Sequence, residues 1–270
     1  MGNSPNLEVM RIEFLTQNDP LYMCPFFDEF LQHYGSEFEV IQISCCRAMG
    51  SRPRLKLLRE LLSLYGPVGV LYLSARVVSG RVLGMVPAKR GTSRFYSIAQ
   101  LCRAYGIPFG IIGSPNSTEV VNALNGRAPD LIASVACPYV LKEPVRKIPP
   151  LGCINIHQAT LQKYRGMMHT FWQMYHGESK VGLTIHYMGA KVDEGAVLLQ
   201  EALDIEPDES LHHLIQRSKR HGAHAMAQVL RKIASGIELK PRVVSTQGSY
   251  FTFPTIEQIR EFRRRGFRAV

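Results

Sequence analysis

Apolar residues along the chain follow two spacings. Continuous apolar runs at residues 10–16, 131–136 and 153–157 are typical of buried strands. Leucines at helical spacing from 53 to 64, and a long amphipathic stretch from 211 to 235, predict helices. Because strands alternate with helices along the chain, we predict an α/β fold with a doubly wound, mostly parallel sheet flanked by helices.

The remaining pattern completes this prediction. Further strands are expected at residues 38–43, 107–112, 182–188, 196–203 and 250–253, and further helices at 97–105, 117–124 and after Gly166. Thr255 and Gln258 have the spacing of a capping box for a final helix. Residues 66–95 fit no single element, and we expect a helical or looped insertion there. We predict a principal domain at 1–205 and a carboxyl-terminal helix with a small appendage at 206–270.

Composition narrows the class of protein. The 270 residues are 46% hydrophobic and 20% charged, which is ordinary for a globular protein. No apolar stretch reaches the roughly 18 residues that span a bilayer, and no secretory signal is visible, so we expect a cytoplasmic protein without a membrane partner. The six cysteines show no pairing or zinc spacing and are interpreted as reduced thiols.

The net charge of +10 favours an anionic ligand, although five arginines fall within the last eleven residues and a solvated helix end is the commoner meaning of such a run. The first strand is followed by no G-x-G-x-x-G sequence, which argues against a dinucleotide-dependent enzyme. His169, His176 and His186 lack the spacing of metal ligands, so we expect surface or substrate-contacting histidines and no metal.

Three polar residues suit chemistry at a carbonyl carbon. Asn155 and His157 lie two positions apart on a predicted strand, so their side chains share one side. Asp193 lies in a polar loop further along the chain. An amide can donate to an oxyanion, an imidazole can move a proton, and a carboxylate can orient it. Which of His157 and Asp193 takes which proton role stays open.

The segment from about 136 to about 203 resembles the catalytic domain of the 10-formyltetrahydrofolate-dependent formyltransferases. That family includes formyltransferases of methionyl-tRNA, glycinamide ribonucleotide and amino sugars. The resemblance rests on an ordered set of motifs: Asn155-Ile156-His157, Tyr164-Arg165-Gly166, Gly182-Leu183-Thr184 and Asp193-Glu194-Gly195.

The resemblance implies a formyl transfer from 10-formyltetrahydrofolate to a primary amine, without a metal, and catalysis by Asn155, His157 and Asp193. It implies that folate lies against Tyr139, Val140 and Leu141 and against the segment Gly189, Ala190, Lys191, Val192 and Asp193. The acceptor is expected to contact Lys163, Tyr164, Arg165 and His169. The family's x-S-L-L-P after the histidine is replaced by residues 158–162, Gln-Ala-Thr-Leu-Gln, which puts the acceptor in doubt more than the chemistry.

A nucleotide-linked amino sugar leads among the acceptors, because the 65 or so residues from 205 to 270 are fewer than the large β-barrel domain of methionyl-tRNA formyltransferases needs. We therefore expect a small anionic amine substrate, no nucleic acid, and leave a homodimer open. The alternatives are a 10-formyltetrahydrofolate hydrolase, a formyltransferase acting on methionyl-tRNA or another small amine, and a basic RNA-binding protein on a retired catalytic fold.

Overall fold

The predicted strands and helices are present in a computed structural model, which describes residues 9–47, 53–92, 94–161, 163–190, 195–237, 242 and 249–270. The strands are β1 (Arg11–Gln17), β2 (Glu39–Cys46), β3 (Phe109–Ile112), β4 (Leu131–Val135), β5 (Cys153–His157), β6 (Arg165–Gly166), β7 (Lys180–Tyr187), β8 (Val197–Asp204) and β9 (Tyr250–Phe251). The helices are α1 (Met23–Tyr34), α2 (Arg54–Leu83), α3 (Ile98–Tyr105), α4 (Thr118–Arg127), α5 (Glu143–Arg146), α6 (His169–Tyr175), α7 (Leu211–Ala234) and α8 (Ile256–Arg264).

Seven strands form one sheet in the order β3-β2-β1-β4-β5-β7-β8. The first five in that order run parallel, and β7 and β8 are antiparallel to their neighbours. This confirms the predicted doubly wound, mostly parallel sheet. The carboxyl ends of β1, β4 and β5 share one edge, which is where open α/β sheets bind ligands. His157 is the last residue of β5 and lies at that edge.

One core joins the sheet to α1 and α7. Phe14 of β1 contacts Phe26, Phe27 and Phe30 of α1 in edge-to-face pairs, which add to the free energy of burial. Met226 of α7 is fully buried in the same cluster. Helix α7, although it follows residue 205, therefore packs against the main sheet; the boundary at 205/206 stays a prediction.

A second apolar cluster holds the carboxyl-terminal segment. Phe262 of α8 stacks on Phe171 of α6 with centroids 4.7 Å apart, and the indole N–H of Trp172 donates to the carbonyl of Thr252. The predicted capping box of Thr255 and Gln258 is confirmed. The parallel pairing of β6 with β9 was not predicted, because two-residue strands leave no periodic pattern.

Helix α2 departs most from expectation. It continues from Arg54 to Leu83 with a kink at Gly66, which has a φ of 69° and is followed by Pro67. Residues 67–83 are helical and not looped. The segment Leu55–Leu83 is long and apolar enough to cross a membrane, judged by length and composition alone. The expectation that no apolar stretch reaches this length is therefore wrong. Scattered arginines interrupt the apolar runs, but the mean hydropathy over 18 residues stays high enough for a membrane span.

Candidate active site

Asn155 lies on β5 directly opposite His186 of the antiparallel strand β7. The Nε2 atom of His186 lies 3.2 Å from Asn155 Nδ2, and its Nδ1 lies 2.8 Å from the carbonyl oxygen of Tyr187. A carbonyl can only accept, so Nδ1 carries the proton and Nε2 accepts from the Asn155 amide. One N–H of Asn155 is thereby fixed, and its amide plane is set by a histidine that the sequence analysis had assigned to surface or substrate contact. His186 is buried.

His157 is held by the loop that follows its strand. Its Nε2 lies 2.7 Å from the carbonyl oxygen of Tyr164, to which it donates. The ring centroid of His169 lies 4.1 Å from that of His157, and His169 Nε2 donates to the carbonyl of Gly166 at 2.5 Å. Two histidines thus share the end of β5, each with its Nε2 directed at a loop carbonyl.

Burial sets the charge of His169. Burial first, and then the nearby His157, hold the pKa of His169 well below its usual value. His169 is therefore neutral at pH 7. Burial also lowers the pKa of Lys219, on α7, to about 8, against the opposing effect of Asp19, and the lysine charge further disfavours protonation of His169. Lys219 could not be recognised from the sequence, because a lysine on an amphipathic helix usually faces solvent.

A buried amide holds the loop beside the site. Gln173 Nε2 donates to the carbonyls of Gln158 and His169, both at 3.1 Å, and its Oε1 accepts from the Gly182 N–H at 2.7 Å. Thr184 Oγ1 donates to the carbonyl of Ala159 at 2.7 Å. Side chains from α6 and β7 therefore fix the segment that lacks the family's proline. No sequence pattern points to Gln173, since its partners are backbone groups.

The Tyr164-Arg165-Gly166 motif has a structural explanation. The Tyr164 ring is buried, stacks on Phe251 at 5.6 Å, and its hydroxyl donates to Glu178 at 2.9 Å. A Cβ at residue 166 would overlap the carbonyl of Phe251, and its φ is 98°, so glycine is required there. The expectation that the Tyr164 ring contacts the acceptor is not supported, because that ring faces the core.

The two basic residues of the motif differ in environment. Lys163 is exposed, with its Nζ 3.5 Å from Glu178. Arg165 is half-buried on β6, where its backbone N–H donates to Ser249. Of the four predicted acceptor contacts, Lys163 and Arg165 are the side chains that remain partly open to solvent and carry charge, while His169 lies against His157.

The predicted folate segment follows β4 at the same edge of the sheet. Val140 is 38% exposed and Leu141 is buried, so of the two only Val140 offers apolar surface; Tyr139 is half-buried. Asn116 joins the segment to the end of β3, accepting from Lys142 N–H at 2.8 Å and donating to the Val140 carbonyl at 2.9 Å. Asn116 is a positioning residue that the sequence did not reveal.

The loop after β7 is described only at its two ends. Gly189 is half-buried and Ala190 exposed, whereas the predicted Lys191, Val192 and Asp193 lie outside the described residues. A Cβ at Gly195 would overlap the carbonyl oxygen of Tyr187 and lie 3.1 Å from His186 Nδ1. The glycine of the D-x-G motif therefore allows the chain to pass directly against the histidine that holds Asn155.

Within the described residues, no group of three or more His, Cys, Asp or Glu side chains could hold a metal ion. All six cysteines are free thiols, and five of them are buried. The described part of the site contains the Asn155 amide, the imidazoles of His157, His169 and His186, and backbone carbonyls. These groups can transfer a proton and donate a hydrogen bond to an oxygen.

Comparison with known proteins identifies the segment that carries this site. Residues 113–230 match the family model described as formyl transferase. The methionyl-tRNA formyltransferase of Kosmotoga olearia is 36% identical over 146 residues, which cover 54% of this chain and 47% of that protein. The chain thus spans about half the length of the curated relatives it matches.

Solved structures agree in fold. A sugar N-formyltransferase from Shewanella sp. FDAARGOS_354 has a TM-score of 0.56 and 15% identity, covering 90% of this chain and 77% of that chain. Glycinamide ribonucleotide transformylase 1 from Symbiobacterium toebii has a TM-score of 0.56 and 18% identity, covering 88% and 95%. At these identities the likeness concerns the fold alone.

Proposed function

We propose, from the match of residues 113–230 to the formyl transferase family model, that the protein transfers a formyl group from 10-formyltetrahydrofolate to a primary amine. The observation that carries the proposal is the Asn155 amide, oriented by His186, next to His157 at the carboxyl edge of the sheet. Its second N–H is a donor suited to an oxyanion.

The transfer needs one bond made and one broken. The amine nitrogen attacks the formyl carbon, and the formyl oxygen becomes an oxyanion that the Asn155 N–H stabilises. The bond from that carbon to the folate N10 then breaks, and the proton lost by the amine is returned to N10. His157 moves this proton, because the neutral His169 beside it leaves His157 as the proton carrier of the pair. We assign Asp193 the role of holding an ordered water or the His157 ring.

For the folate, Val140 offers exposed apolar surface at the end of β4, and Gly189 and Ala190 offer backbone groups after β7. This arrangement is compatible with a flat pterin hydrogen-bonded to main chain. The free thiols are compatible with work in the cytoplasm.

For the acceptor we propose a nucleotide-linked amino sugar. Lys163 and Arg165 follow the site histidine and can pair with phosphate, and the net charge of +10 favours an anionic ligand. Methionyl-tRNA is the second candidate, because the curated relatives carry that name over the segment that holds the site. Binding of RNA without catalysis is disfavoured, because Phe262, one of two aromatic residues in the basic tail, is fully buried.

The test is turnover of 10-formyltetrahydrofolate by the purified protein with each of three acceptors: nucleotide-linked amino sugars, methionyl-tRNA, and water alone. Tetrahydrofolate is followed by absorbance, and the formylated product or free formate by mass spectrometry. We expect a formylated amino sugar. Formylation of tRNA alone would move the proposal to the second candidate, and formate in every reaction would indicate a hydrolase.

Loss of the Asn155 donor should lower kcat by about 10² to 10³ in Asn155→Ala. Asn122→Ala, which removes an exposed amide on α4, is the matched control and should be unchanged. Binding of a 10-formyl folate analogue, measured by fluorescence, should survive in both variants. A proposal of catalysis at Asn155 fails if the two variants turn over alike.

A further inference from the structure

Most of the larger apolar side chains of helix α2 face solvent, although Leu64 and Leu73 are buried. After the kink, Val68, Leu71, Val78 and Val82 are between 58% and 79% exposed. Their spacing of three, seven and four residues places them along one side of the helix. A stripe of this kind on a soluble helix normally faces the core, and exposed apolar patches mark interaction surfaces.

After the kink, the side of α2 that packs on the protein holds Leu73 together with glycines. A Cβ at Gly69 would lie 3.2 Å from Val270, one at Gly80 would lie 3.2 Å from the Tyr96 carbonyl, and one at Gly84, just past the helix, 2.7 Å from Ser97 Oγ. Glycines at these contacts, with four large apolar side chains directed outward, depart from the usual pattern of a helix in a soluble protein. The same distribution is typical of helices that face lipid, which pack through small residues.

The part of α2 that follows the kink is fastened to the rest of the protein at both of its ends. Arg263 donates to the Leu64 carbonyl at 3.0 Å. At the other end, Gln100 donates to the carbonyls of Leu83 and Val86, and Arg103 donates to that of Gly84. A helix held along its length cannot cross a bilayer without the domain, so its apolar side suits immersion parallel to the surface.

The charge of this segment distinguishes between two partners that could cover the apolar stripe, a second copy of the chain and a lipid surface. Residues 54–94 hold eight lysines and arginines and one acidic residue, Glu60. In a twofold dimer through α2 the same basic segment would face itself, and like charges would repel. An anionic lipid surface attracts these charges, with a contribution of about 1 kcal/mol for each. The charges therefore favour lipid over a second copy.

We propose that α2 is a membrane-docking helix, which lies in the interface of an anionic bilayer with Val68, Leu71, Val78 and Val82 among the acyl chains and the neighbouring basic side chains at the headgroups. This site is separate from the formyl-transfer site and does not depend on the proposed function. It departs from the sequence-based expectation of no membrane partner.

The experiment is sedimentation of the full chain with two kinds of vesicle. One is phosphatidylcholine alone, and the other contains roughly 30% phosphatidylglycerol, which gives a surface potential near the physiological range. We expect binding to the anionic vesicles, weak binding to the neutral ones, and loss of binding as salt is raised. Size-exclusion chromatography with light scattering, without lipid, reports self-association in parallel.

Two variant sets, each with a matched control, separate the apolar and electrostatic contributions. Val68→Ser, Leu71→Ser and Val78→Ser together should lower vesicle binding by more than about tenfold, whereas Val9→Ser, Ile237→Ser and Ile256→Ser, exposed elsewhere, should not. Lys56→Gln, Arg59→Gln and Lys89→Gln should lower it roughly fivefold per residue; their control changes are Lys147→Gln, Lys180→Gln and Lys232→Gln.

Three results would overturn the proposal. One is equal binding to neutral and anionic vesicles. Another is vesicle binding that the α2 and control sets reduce alike. The third is the absence of vesicle binding. In that case a dimer that Leu71→Ser dissociates would show that the apolar stripe binds a second copy, and a monomer would show that it binds neither. Thermal unfolding and circular dichroism of every variant verify that the fold is intact, which the exposure of the substituted side chains leads us to expect.

Discussion

The orientation of each side chain in the site is set by the neighbouring groups to which it is hydrogen-bonded. The Asn155 amide is fixed by His186, and His186 is fixed by a backbone carbonyl of its own strand. His169 stays neutral because it is buried beside His157. The sequence identified Asn155 and His157 from their alternation on one strand. It could not identify His186, because that contact depends on the register of β5 against β7.

At this scale His186 is a positioning residue. His186→Ala should lower kcat by roughly ten- to a hundredfold, because a displaced oxyanion donor loses most of its effect. The KM for folate should change little, since the substitution leaves the folate segment in place. Steady-state kinetics that show a raised KM with an unchanged kcat would instead make His186 a binding residue.

Glycine is required at position 195 because the structure leaves no space for a Cβ atom there. Gly195→Ala places a Cβ onto the Tyr187 carbonyl oxygen and near His186, so either the loop or β7 must move. We expect activity to fall at least tenfold and the melting temperature to fall. Gly126→Ala, at an open position in helix α4, should keep activity and slightly raise the melting temperature. Equal behaviour of the two variants would contradict this account of the motif.

Among the elements, the sheet and its helices followed the apolar pattern closely, since period-two runs and 3.6-residue amphipathic stretches mark buried strands and helices. The first part of α2 was predicted as a helix, but the part after the kink was predicted only as helical or looped, because many of its apolar side chains face solvent while its glycines face the protein. Strand β6 was missed because two residues leave no periodic pattern, whereas β9 lies within the strand predicted at residues 250–253.

Elements β1 and α4 are joined by a buried ion pair. Arg127 donates through two nitrogens to Glu13, which is fully buried and also accepts from Ser44. Arg127→Met should lower the free energy of unfolding by about 3–5 kcal/mol, because it leaves a buried carboxylate without its partner.

The control has the same geometry at the surface. Arg231 makes a two-nitrogen contact with Glu37, and both side chains are largely exposed. Arg231→Met should cost at most about 1 kcal/mol. Urea unfolding of both variants measures the difference. If Arg231→Met were as costly as Arg127→Met, burial would not be the source of the effect.

For the whole molecule, buried histidines link stability to pH. Burial lowers the pKa of His212 to about 4, with nearby Arg76 and His213 acting in the same direction. Between about 4 and the unfolded value near 6.5 the unfolded chain binds more protons, so stability is full above pH 6.5 and falls as the pH falls. His169, whose pKa is also lowered, acts in the same sense.

The substitution His212→Gln removes this contribution and keeps an acceptor for the Tyr22 hydroxyl, which lies 3.0 Å from His212 Nδ1. The difference between the wild-type and variant unfolding free energies should change by roughly 1–3 kcal/mol between pH 7 and pH 4. Chemical unfolding across this range measures it. A difference that is constant with pH would show that His212 does not titrate on unfolding.

The sequence therefore predicted the fold class, the strand that carries Asn155 and His157, and the edge of the sheet where they meet. It placed the Tyr164 ring at the acceptor, although its stacking on Phe251 buries it. That contact joins residues 87 positions apart and has no local signal (251 − 164 = 87). Charge and hydropathy along α2 indicated a special surface only when combined with its exposure in the folded chain.

The central claim is that the Asn155–His157 site performs formyl transfer, and single-turnover reaction of 10-formyltetrahydrofolate with excess wild-type protein and amine tests it most directly. We expect formation of tetrahydrofolate and formylated amine in equal amounts, slowed by at least a hundredfold in His157→Ala and unchanged in His33→Ala, which removes an exposed histidine on α1. The account is contradicted if His157→Ala, folded and still binding the folate, transfers the formyl group as fast as the wild type.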